Sequence, residues 1–160
     1  MRHETGRGGA RVLVLATVAT ALWIPTACVP GMTSPTRDAG DYREKASSTA
    51  GAAASAVATV ELLAGAAIRD DAFGPYLSVA AGDAERDLDA VSSTFGSILP
   101  PGEASILLRD ELEPVLDRAA MHVADARIAI RRGEPDDLPR IRRELRADVA
   151  ELQAMEERTS

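Results

Sequence analysis

Residues 41–69, DYREKASSTAGAAASAVATVELLAGAAIR, decide the fold. Within them Tyr42, Ala46, Thr49, Ala53, Ala56, Val60, Leu63 and Ala67 recur at alternating steps of four and three, the period of a heptad seam on one helix. Asp41 with Glu44 three residues on makes a capping-box-like start, and Asp70-Asp71 marks a stop. The middle of the seam is almost all alanine, so a neighbouring helix can approach closely and must itself supply bulk.

Three further helices follow downstream. Gly74-Pro75 opens a second over 75–98, with the proline in the first turn where its missing N–H is not needed. Its apolar face is Leu77, Ala81, Ala84, Leu88, Val91, Phe95 and Ile98. An antiparallel turn centred near residue 72 would set Ala53 level with Val91 and Thr49 level with Phe95, small against large. Pro100-Pro101-Gly102 precedes a third helix over 103–132, centred on Leu112, Ala119 and Ala126. Pro114 inside it removes one hydrogen bond and clashes with the carbonyl four residues back, which predicts a kink or break near Asp110. After Gly133-Glu134-Pro135, Asp136 or Asp137 is placed to cap a fourth helix over 137–157, with Leu138, Ile141, Leu145, Val149, Leu152 and Met155 inward. No strand pattern competes. The expected class is all-α, an antiparallel up-down-up-down four-helix bundle over residues 41–160.

Upstream, residues 29–40 are rich in Pro, Gly, Ser and Thr without periodicity and read as a flexible tether. Ahead of them Val12–Ile24 carries no charge and follows Arg2, Arg7 and Arg11, the layout of a secretory signal over residues 1–27. Thirteen helical residues span only ~20 Å, against ~30 Å for a bilayer core. A single-pass anchor over 12–29 is the alternative, and simple secretion a third.

Pro25-Thr26-Ala27-Cys28 puts small residues directly before the only cysteine in the chain. Here the sequence resembles a bacterial lipoprotein precursor. The resemblance implies cleavage between Ala27 and Cys28, with Thr26 and Ala27 as the small residues read by the peptidase. Cys28 would then carry the lipid and hold the protein to the membrane. Pro25 stands where that class has an aliphatic residue. Seventeen of 18 basic residues are arginine and alanine abounds, which is similar to uncharacterised actinobacterial lipoproteins.

Loss of residues 1–27 would leave 15 basic against 24 acidic residues, an acidic chain that argues against a nucleic-acid partner. His122 is the one histidine beyond the signal. A turn centred near residue 135 sets it level with Asp148, and the two are expected to form a structural pair across the last helices. A di-iron bundle needs Glu-x-x-His, and Ala119 stands in the glutamate position. No CxxCH, P-loop or dinucleotide fingerprint is present, and no serine lies on a nucleophile elbow. Arg131, Arg132, Arg140, Arg142, Arg143 and Arg146 crowd the last turn among Glu134, Asp136, Asp137 and Glu144, as an internally paired surface would. The sequence thus points to a non-enzymatic, membrane-anchored extracytoplasmic domain without cofactor or metal, acting through an unidentified protein partner. A small-ligand or metal-sensing bundle is the alternative, suggested by the glycines Gly65, Gly82 and Gly96 within the helices.

Overall fold

Each helix boundary follows from local chemistry. In the computed structural model, which describes residues 38–160, the elements are α1 (Ala39–Arg69), α2 (Gly74–Gly96), α3 (Glu103–Arg132) and α4 (Leu138–Thr159). No strand occurs among the described residues, so the class is all-α. Thr26, Ala27, Cys28 and the rest of the expected signal lie outside the described residues.

α1 begins earlier than the Asp41–Glu44 pattern suggests. Asp38 is its N-cap, and the carboxylate accepts the Asp41 backbone N–H at 2.9 Å, which leaves Asp41 as a first-turn acid. The helix stops at Asp70, whose left-handed φ of 54° turns its N–H back onto the carbonyls of Ala66 and Ala67. α3 ends the same way at Gly133 (φ 66°), where glycine has no Cβ to strain. Asp137 occupies the N-cap position of α4, but its backbone is already helical and neither it nor Asp136 makes the expected side-chain cap. Its carboxylate instead lies 3.9 Å from Arg140. α3 runs unbroken through Pro114, which stands exposed, so there is no interruption near Asp110.

Packing is organised around α1. It touches all three other helices, whereas α2 and α4 do not meet. Small side chains permit this close approach, since Ala46, Ala50, Ala53 and Ala64 of α1 are fully buried. Because α1 faces three neighbours, its buried stripe is wider than one seam. Ala50, Val57 and Ala64 are buried, while Thr49 and Leu63 stand one position to the side and are only partly covered. The bulk comes from the partners: Leu88, Phe95, Leu112, Val123, Leu145 and Leu152 are fully enclosed.

The register between α1 and α2 differs from the symmetric-turn expectation. Phe95 meets Tyr42, ring centroids 5.4 Å apart and planes tilted by 49°, seven positions before Thr49. A turn's midpoint fixes which residues face each other only when the two helices do not slide. Here the Tyr42 ring fills the bottom of the core and Phe95 packs against it. On its other side α1 meets α4 antiparallel, with Gly51 against Glu156 and Gly65 against Arg142.

By length and composition α1 could cross a membrane. In this fold its apolar stripe, from Tyr42 to Ala64, is buried against α2, α3 and α4.

Candidate functional site

The inner face of α4 reads Leu145, Asp148, Leu152, so a carboxylate takes a place in an apolar seam. Its side chain is only 2 % exposed, and desolvating a charge costs several kcal/mol unless partners replace the lost water. α3 supplies them from successive turns. Arg118 Nε donates to Asp148 Oδ1 at 3.0 Å, and His122 Nδ1 lies 2.6 Å from Asp148 Oδ2. With the Nδ1–H tautomer the imidazole donates and Nε2 keeps its lone pair. Arg118 also pairs with Glu151, one turn beyond Asp148. Its guanidinium is held above the usual arginine range, mainly by the hydrogen bond to Asp148.

The sequence places His122 and Asp148 opposite each other across a short turn, and the structure brings them into hydrogen-bond contact. Arg118 and Glu151 went unread. Arg118 is four residues before His122 and Glu151 three after Asp148, so helical spacing alone puts all four on facing surfaces.

Chemically this is a closed network. The carboxylate is saturated from two sides and the histidine is oriented, but no hydroxyl or thiol is hydrogen-bonded to the ring among the described residues. No set of three or more His, Cys, Asp or Glu side chains converges as metal ligands among those residues. Two other helix boundaries, α1 with α4 and α2 with α3, also carry ion pairs. Glu61 of α1 accepts from Arg142 (2.6 Å) and Arg146 (2.8 Å) of α4, and Arg127 of α3 stands 2.6 Å from Glu85 of α2. Two members of the arginine cluster thus reach across to α1. Arg140 pairs with Glu144, and Arg132 lies 3.8 Å from Glu134. Arg131 and Arg143 have no ion-pair partner among the described residues.

A second feature is apolar. Phe73, at the start of α2, and Tyr76 and Val79 within it follow one another at steps of three, each at least 63 % exposed. Leu62 of α1 is exposed as well. The groove between α1 and α2 is floored by Ala52, Ala56, Ala80 and Ala84 and edged by Asp83 and Asp87.

No family model, curated protein or solved structure compared with the chain matches it.

Proposed function

We propose that the chain is a lipid-anchored extracytoplasmic protein whose helical domain works through protein contacts and not through catalysis. The observation that carries the contact reading is the outward row Phe73, Tyr76 and Val79. Single exposed apolar side chains are ordinary, whereas a contiguous row beside an alanine-floored groove suits a partner helix. The ion-paired Asp148 network supports a structural role for the polar interior, because its carboxylate oxygens are both occupied. The anchor reading rests on the arginines, the apolar run and Thr26-Ala27-Cys28 ahead of α1.

Two experiments test the two halves. For attachment, intact mass and detergent partitioning of wild type and Cys28→Ser are compared in a GC-rich Gram-positive host. Loss of residues 1–27 with a gain of acyl mass, both abolished in the variant, is expected; an unprocessed wild-type chain overturns the anchor. For contact, a photo-crosslinking residue at position 76 is expected to trap one discrete protein. The same probe at exposed position 157 is expected not to, and Phe73→Ser is expected to reduce capture. Equal capture from both positions overturns the assignment of this face.

A second reading, binding of a small ligand, is supported by a cavity between the starts of α1 and α3.

A further inference from the structure

The starts of α1 and α3 and the end of α4 meet around a cavity of about 330 Å³. Ala39 and Arg43 line it from α1, Ala104, Ser105 and Glu111 from α3, and Arg158 from α4. Its donors outnumber their partners. Ser105 is 97 % buried, being 3 % exposed, yet its hydroxyl has no hydrogen-bond partner among the described residues. Other hydroxyls, such as those of Ser55, Thr59, Thr94 and Thr159, return to backbone carbonyls. Gly102 caps α3 without a side chain, so the first-turn N–H of Ala104 has no intrahelical acceptor. Arg43 has no ion-pair partner among the described residues. Arg158 comes no nearer than 3.8 Å to Glu111, and the same Nη2 donates to the Met155 sulfur, a weak acceptor.

The charges can be counted. Arg43 and Arg158 contribute two positive charges and Glu111 one negative. The start of α3 contributes roughly +0.5, which its own first-turn acid Glu103 offsets, and the end of α4 roughly −0.5. The start of α1 is already neutralised by Asp38. The balance is close to zero, so the cavity offers an anion no large net charge but directed N–H, O–H and guanidinium donors from three helices. That spread of directions suits a tetrahedral anion better than a planar carboxylate.

We propose that this cavity binds a phosphate group. Ser105 Oγ and the Ala104 N–H donate to its oxygens from α3, Arg43 and Arg158 close on it from α1 and α4, and Glu111 orients Arg158. The assignment does not depend on lipid attachment. The group can arrive on a free phosphate ester or on a phospholipid headgroup, and the chemistry of capture is the same.

The test uses the full chain in chloride buffer. Calorimetric titration with inorganic phosphate is expected to give one saturable site and a higher Tm, through preferential binding to the folded state. Arg43→Gln and Arg158→Gln are each expected to weaken binding roughly tenfold or more, and Ser105→Ala several-fold. Circular dichroism and phosphate-free melting of each variant should match wild type, which separates a lost site from a lost fold. Flotation with phosphatidylglycerol vesicles forms the second arm. Binding to vesicles but not to free phosphate, weakened by the same three substitutions, identifies a headgroup as the source and upholds the site. Binding in neither arm, or binding indifferent to all three substitutions, overturns it.

Discussion

Gly51 of α1 lies beneath the carboxylate of Glu156 on α4, so close that a Cβ at position 51 would stand 2.5 Å from Glu156 Oε1. Two heptads on, Gly65 meets Arg142, whose Cζ would be 3.0 Å from an added Cβ. The two glycines look equivalent on the helix, but the side chains above them are not equally free. Arg142 is tied to Glu61 at 2.6 Å, whereas the Glu156 carboxylate has no ion pair among the described residues.

Gly51→Ala is therefore expected to stabilise the domain by about 0.5–1 kcal/mol, the usual gain of alanine over glycine inside a helix, once Glu156 swings into water. Gly65→Ala is expected to be neutral or destabilising, because Arg142 must leave Glu61 to make room. Urea unfolding of both variants checks this; equal stabilisation of the two would show that the Arg142–Glu61 pair does not hold its place.

Removing one member of the Asp148 network should cost more than removing the network. Arg118→Met leaves a buried carboxylate with one partner and is expected to destabilise by about 1–3 kcal/mol. Asp148→Leu fills the seam, while Arg118 keeps Glu151 and is itself partly exposed, so it is expected to change stability by less than about 1 kcal/mol. In the Asp148→Leu background the cost of Arg118→Met should largely vanish. A double-mutant cycle with no coupling would sink this account, as would its counterpart for His122→Ala and Asp148→Ala.

Tyr42 carries a buried hydroxyl with no hydrogen-bond partner among the described residues. Burial raises its pKa above 10.0, Arg109 pulls it down, and Glu113 and Asp110 push it up. The folded state thus favours the neutral phenol. Its contribution to stability is complete below pH 10 and is lost as pH rises above 10 toward the higher folded value. Tyr42→Phe keeps the ring against Phe95 and removes the orphan hydroxyl. It is expected to be neutral or stabilising by up to about 1 kcal/mol, and to lessen the loss of stability above pH 10. A clear destabilisation of Tyr42→Phe at pH 7 would mean that the hydroxyl is satisfied.

Pro114 stands on the exposed side of α3 and denies that helix one backbone hydrogen bond. Pro114→Ala restores the donor and is expected to stabilise by about 1–3 kcal/mol, within the penalty of an interior proline. Unchanged or lower stability in denaturant titration would indicate that the core is fitted to the proline-bearing axis.

The bundle was legible because each helix carries its own period and its own stop: Asp70, Pro100-Pro101-Gly102 and Gly133 punctuate four apolar stripes. The facing of His122 and Asp148 was legible for a related reason, since a short turn leaves α3 and α4 little room to slide. Tyr42 against Phe95 was not, because the slide between α1 and α2 is set by how two rings fill one end of the core. Nor was Glu61 with Arg142 and Arg146, which joins helices far apart in sequence, where no turn constrains the register. The cavity beside Ser105 escaped notice because it belongs to three helix ends at once, and periodicity describes one helix at a time.

The central place of α1 has a consequence for the order of assembly. Its broad face is completed only by α4, the last of these four helices, so a chain emerging from its amino end exposes an alanine-rich apolar helix until some ninety further residues have followed. Hairpins of α1 with α2 and of α3 with α4 can form early from local contacts, but closure waits on a long-range pairing. During that interval the α4-facing side of α1 stays open to water, and a chain cut before Leu138 would leave it uncovered permanently.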